Sequence, residues 1–169
     1  VTDESGNKVV LLPEIIFSNK QNINWDDVED YLGKYVGELI EIAETRDIIY
    51  IGNKFPDEYG GSSYTRKTKG ARAKAKANAA QGIREMVEIA TDKVYRENHK
   101  EKHSEDAHNG WFYYVTRFAI PLYDNEKKTG EYNVYSACLV VNHAANGKMY
   151  LYDVVDIKKE ASNPLKTIK

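Results

Sequence analysis

The sequence is poor in cysteine. Cys138 is the only one, so neither an intrachain disulfide nor a cysteine-based zinc site can form. It lies in the apolar run Ala137-Cys138-Leu139-Val140-Val141, where it reads as a small buried hydrophobe and not as a nucleophile. No apolar stretch approaches the ~18 residues of a membrane-crossing helix. Nothing at the start reads as a signal peptide, so a cytoplasmic location is expected. An excess of one charge is also missing: 24 Lys and Arg face 26 Asp and Glu, a formal net charge of -2. No global field therefore pulls the chain onto nucleic acid or membrane, and any such attraction has to come from a local patch. The P-loop, G-x-G-x-x-G, G-x-S-x-G and EF-hand patterns are all absent, which leaves a nucleotide cofactor or a serine hydrolase without support.

Aromatics are present but skewed, with 13 Tyr against 4 Phe and 2 Trp. Tyrosine suits half-buried strand positions, where the ring packs and the hydroxyl stays wet. Base stacking on a sheet is the alternative use of the same residues. The 169 residues fit one domain, placed at 23–169, behind an extended N-terminal flank at 1–22. The opening at Val1 without Met suggests a piece of a longer polypeptide.

Along the chain, Pro13 limits Val9–Phe17 to an edge strand or an extended wrap. Asn24 reads as an N-cap ahead of Asp26-Asp27, and apolar residues from Val28 to Ala43 predict a helix over 25–44. A short strand is expected at 47–51 and a polar loop over 54–64. A second helix is expected over 67–95, and a helix tail with a loop over 96–110. Strands at 111–123, 132–142 and 148–157 follow, the last two joined by the hairpin signal Asn146-Gly147. The expected class is α+β: amphipathic helices packed on a C-terminal antiparallel β-meander of three to four strands.

The strongest local feature is a run of six cations in eleven residues: Arg66, Lys67, Lys69, Arg72, Lys74 and Lys76. On a helix, Lys69, Arg72 and Lys76 share a face, which could neutralise several phosphates or simply be solvated. Cations at a helix N-terminus oppose the macrodipole, which argues for use. A second feature is His99, His103 and His108, for which surface solvation, general acid/base work and metal binding stay open; the H-E-x-x-H signature is absent and no metal is assigned. A third is the strand with Tyr113 and Arg117 on one face and Tyr114, Thr116, Phe118 and Ile120 on the other. Arg117 either faces solvent or steadies an anion.

Several segments resemble mobile-element domains: Asp57-Glu58-Tyr59-Gly60-Gly61-Ser62-Ser63-Tyr64-Thr65, Ala73-Lys74-Ala75-Lys76-Ala77-Asn78-Ala79-Ala80, Gly110-Trp111-Phe112-Tyr113-Tyr114 and the ending Leu151–Ser162. Together with the order of elements, they resemble the barnase–EndoU–colicin–RelE superfamily of metal-independent ribonucleases, in the versions attached to phage and conjugative-element polyvalent proteins. The likeness covers about 45–162. It implies an RNA-cleaving toxin or effector domain that needs no cofactor, with RNA as substrate and an immunity protein as partner. His103 or His108 would act as base or acid, Lys74 and Arg117 would stabilise the anion, and Tyr113 and Tyr64 would stack or donate. Arg66, Lys67, Lys69, Arg72 and Lys76 would hold the strand. The rival expectation is a non-catalytic accessory domain that binds nucleic acid or protein.

Overall fold

The structure is a computed structural model that describes residues 1–18, 22–97, 109–160 and 164–166. Its spine is one long hairpin of β5 (Trp111–Asp124) and β6 (Lys127–His143). The hairpin closes at Asn125-Glu126, both with positive φ (49° and 67°), the twist that a two-residue hairpin turn needs. The polar stretch 124–130 is therefore mostly strand, not the loop its composition suggests. β7 (Met149–Lys159) pairs antiparallel with β6 across the Asn146-Gly147 turn, where Gly147 takes φ 86°.

Five further strands turn this hairpin and its neighbour into a mixed eight-stranded sheet, wider than the expected meander. β1 (Val10–Leu11) runs parallel to β5, so the N-terminal flank joins the sheet. β4 (Thr91–Arg96) pairs antiparallel with the other half of the same β5 edge. β8 (Leu165–Lys166) pairs with β6. β3 (Ile48–Tyr50) runs parallel to β7, and β2 (Leu39–Glu41) pairs antiparallel with β3. The sheet also curls. The turn between β2 and β3 comes back against β4, where Asp92 N–H donates to the Glu44 carboxylate at 3.1 Å.

The helices differ from the two long ones expected. α1 (Trp25–Leu32) starts where predicted, with the Asn24 side chain accepting from the N–H groups of Asp26 and Asp27. It stops early because Gly33 opens a 3-10 turn and Gly37 takes φ 95°. Beyond them Leu39 and Glu41 are exposed while Ile40 and Ile42 are buried, an alternation of period two that the helical template had absorbed. α2 (Phe55–Gly61) and α3 (Ser63–Lys67) replace the expected loop, α2 carrying Pro56 in its first turn and α3 capped by Ser62. Gly70, at φ 64°, then breaks the chain before α4 (Ala71–Ala79), and α5 (Ile83–Glu88) follows a short 3-10 turn.

These helices cover one face of the sheet. Ala75, Ala77, Ala79, Ile83, Met86 and Val87 share a core with Tyr114, Phe118, Leu139 and Val154. Alanine at alternate positions lets α4 sit close to the sheet. Asn78 stitches the flank onto this layer, its Oδ1 accepting from the N–H groups of Ile16 and Phe17 and its Nδ2 donating to Phe17 O.

A polar knot ties the curl together. The Asp47 carboxylate accepts from Tyr114 Oη at 2.7 Å and Thr45 Oγ1 at 2.8 Å, and pairs with Lys93 Nζ at 2.8 Å. Burial raises the pKa of Asp47, but the hydrogen bonds from Lys93, Tyr114 and Thr45 outweigh it and hold it below the usual 3.8. A depressed carboxylate stabilises the fold above its unfolded pKa, and that gain disappears as pH falls through the folded value. Tyr114→Phe is expected to cost about 1–2 kcal/mol at neutral pH and clearly less once Asp47 is protonated. Urea unfolding at neutral and acid pH checks this.

Candidate nucleic-acid interface

The basic run is spread over α3, the break after it and α4, and only part of it is exposed. Arg66 and Lys67 end α3, exposed, with Arg66 Nε donating to Gly61 O. Lys69 lies in the break before Gly70; Arg72 is exposed on the first turn of α4, and Lys74 is half-buried.

Lys76 is a correction to the sequence reading. It is 0% exposed and faces the sheet. Its Nζ donates to Asp153 Oδ1 at 2.7 Å and to Thr65 Oγ1 at 2.6 Å, and lies over the rings of Tyr59 and Tyr64. The Thr65 hydroxyl in turn donates to Tyr59 O, and Tyr59 Oη donates to Lys76 O. Burial pushes Lys76 down and Asp153 up, the ion pair opposing both shifts. This cation anchors α4 to β7 and cannot reach a phosphate. Tyr64 serves the same layer: its hydroxyl accepts the Ile157 N–H at 2.9 Å.

Tyr113 and Arg117 project from the opposite face of β5, as the alternation predicts, since Tyr114, Thr116, Phe118 and Ile120 are buried under the helices. Arg117 Nε pairs with Glu160 Oε1 at 2.9 Å. Burial raises the Tyr113 hydroxyl pKa, and Arg96 lies against its ring at 5.5 Å. The structure thus brings Tyr113 and Arg117 onto one face and leaves Lys74 in the helix layer. His103 and His108, with His99, lie outside the described residues, so their place relative to these groups is not part of the geometry.

Among the described residues no helix covers the face that carries Tyr113. Trp111 and Val140 pack there with Tyr113, Tyr152 and Val155, and Trp111 meets Tyr152 edge-on at 5.0 Å. Two strands further, Tyr150 pairs with Tyr50 at 5.8 Å, and Lys148 lies over the Tyr50 ring at 5.0 Å. Strands β5, β7 and β3 therefore supply Trp111, Tyr113, Tyr152, Tyr150 and Tyr50 to a single helix-free face, with Arg96 and Lys148 beside their rings. Cys138 also belongs to this strand face, half-buried, its thiol pushed up to about 11 by burial and by Asp156, so it stays protonated at neutral pH.

At one end of this face, a cleft of about 250 Å³ opens between the Gly52–Phe55 segment and the strands, lined by Asn142, Ala144, Tyr150, Leu151 and Tyr152. Sequence reasoning missed it, because the Gly52–Phe55 side joins the strands only through the parallel β3–β7 pairing, which no local pattern signals. The alternation of Tyr150 and Tyr152 was the one available clue.

Among the described residues no three His, Cys, Asp or Glu side chains gather as a metal-binding set, and no helix is long and apolar enough to cross a membrane. In comparisons with known proteins, no family model matches the chain, and no curated protein or solved structure matches it.

Proposed function

We propose that this domain binds single-stranded nucleic acid, RNA foremost, on the helix-free face of its sheet. One observation carries the reading: Tyr113, Tyr150 and Tyr50, from three strands, stand half-buried on that face, with Arg96 against the ring of Tyr113 and Lys148 against that of Tyr50. Stacking on such rings needs no particular base and is worth about 1–3 kcal/mol per base. Arg96 and Lys148 add charge where a backbone would run, although the whole chain is slightly acidic. Aromatics on a sheet are also how common RNA-binding modules seat unpaired bases.

Titrating the domain with a labelled oligo-U or oligo-A strand tests this. Quenching of tryptophan emission and micromolar binding are expected, weakening steeply between ~50 and ~200 mM salt. A duplex of equal length should bind more weakly, because its bases are already stacked on each other. No binding of any single strand at the low salt would overturn the proposal. Running the RNA in EDTA separates binding from cleavage, the activity that the family resemblance implies for His103 and His108. Shortened RNA, lost in a His103→Ala/His108→Ala variant, would add cleavage to binding.

A further inference from the structure

The edge of the sheet at β4 is open in its middle. Leu12 N–H donates to Ala119 O, so the odd-numbered residues of β5 turn their backbone groups towards the edge that β1 and β4 share. Trp111 and Tyr113 are among them, and their partners Arg96 and Val94 spend their own backbone groups on β5. Tyr95, between the two, turns its N–H and C=O outward, and no described residue bonds to either. The start of the strand is closed: Asp92, at φ 57°, gives its N–H to Glu44, and Lys93 Nζ pairs with Asp47. From there on the strand lies in the open, with Val94 and Tyr95 each 50% exposed. The Tyr95 ring is nonetheless held in place. It lies 5.2 Å from the Phe112 ring and covers Gly110, where a Cβ would come within 2.7 Å of it.

An unpaired strand edge with apolar side chains on it is a template for another strand. The residues around Tyr95 fit their own copy run antiparallel. With the twofold axis on Tyr95, that residue exchanges both backbone bonds with the partner's Tyr95, and the two rings meet across the axis. Val94 then lies opposite the partner's Arg96, whose aliphatic stem covers it, and Lys93 lies opposite the partner's Glu97. No like charges face each other in this register, and the pairing stays within 93–97, clear of the kink at Asp92. A net charge of only -2 leaves little repulsion between copies. We infer that β4 is a self-recognition edge, through which two copies of this chain join antiparallel about Tyr95 into one continuous sheet. The contact uses the same edge of both copies, so it closes at two. It is independent of the single-strand reading.

Sedimentation of the wild-type chain over a range of concentrations tests this. Residues 93–97 on each side make a small contact, so a weak dimer is expected, half-dissociated at about 10–100 µM, with the mass rising towards twice that of the chain. Hydrogen exchange at the Tyr95 amide should slow as the concentration rises, while the amides of Val94 and Arg96, bonded to β5 in either state, do not respond. Tyr95→Lys and Tyr95→Glu each set like charges across the axis, and each should associate at least ~tenfold more weakly than the wild type. An equimolar mixture of the two sets opposite charges there and should regain the dimer, which also shows that both variants are folded. A wild type still monomeric at ~0.5 mM overturns the inference. So does a Tyr95 amide already protected in the monomer, because the chain's own residues would then cover the edge. A dimer that survives in both variants, or a mixture that associates no more tightly than either variant alone, places the contact elsewhere and overturns it equally.

Discussion

Replacing Lys76 by Met alone is expected to destabilise the domain by about 3–5 kcal/mol, the usual cost of leaving one member of a buried ion pair unpartnered. Asp153, 3% exposed, would then have to stay protonated or pull water into the core. The double replacement Lys76→Met/Asp153→Leu should recover most of the loss, because well-packed apolar groups commonly match or exceed a buried pair. Urea unfolding of the two singles and the double closes the cycle. The pH dependence supplies an independent check. In Asp153→Asn the lysine keeps its burial and loses its carboxylate, so its pKa lies further below 10.5 than in the wild type. Between that folded value and 10.5 the unfolded chain binds more protons than the folded one, and stability therefore rises with pH across the window. The deficit of Asp153→Asn should shrink as the buffer is taken from neutral towards alkaline. Single variants costing under ~1 kcal/mol would mean that solvent reaches the pair.

The second large effect belongs to the aromatic face. Tyr113→Ala/Tyr152→Ala is expected to cost about 2–6 kcal/mol of single-strand affinity, at ~1–3 kcal/mol per stacked base, which is ~30-fold or more. Both rings touch the same Trp111 and Val140 cluster, so the two losses need not add. The Tyr113→Phe/Tyr152→Phe pair should bind nearly as the wild type does, because the ring face supplies the stacking. Arg66→Ala/Lys67→Ala, on the helix layer, should leave affinity close to wild type and flatten the salt dependence by at most ~2 in slope. If the basic variant loses more than the tyrosine variant, the nucleic acid runs over the helices.

The sequence carried unequal amounts of this. The β5 alternation was legible, and Tyr113 and Arg117 fall where it put them, because a strand with one face buried has only one register. The Asn24 cap and the Asn146-Gly147 turn were legible for the same reason: each is a local solution to a local backbone problem. The long helices were not. Apolar residues at 36, 39, 40 and 43 fit the helical period and a short alternating strand alike, and Gly33 and Gly37 decided between them. Pro56 followed by Asp57-Glu58 was a readable helix start that the surrounding glycines disguised. Lys76 was the costliest misreading. Nothing within a few residues of it foretells Asp153, 77 positions away, and a lysine among alanines looks solvated until its partner is placed. The aromatic face escaped for a similar reason: Tyr50, Trp111 and Tyr152 are scattered in the chain and share a face only once β3, β5 and β7 are set in order.

The Tyr64 hydroxyl that takes the Ile157 N–H has a consequence for how the molecule behaves in company. Past Tyr150, β7 has no strand partner among the described residues on the side away from β6, and a row of free amides there would invite a neighbouring copy to add itself lane by lane. Tyr64 occupies one of those amides and Asp156, at φ 52°, kinks the lane beside it. On the far flank β2 is three residues long and carries Glu41. A wide sheet fenced in this way resists polymerisation, and can stay crowded and unaggregated.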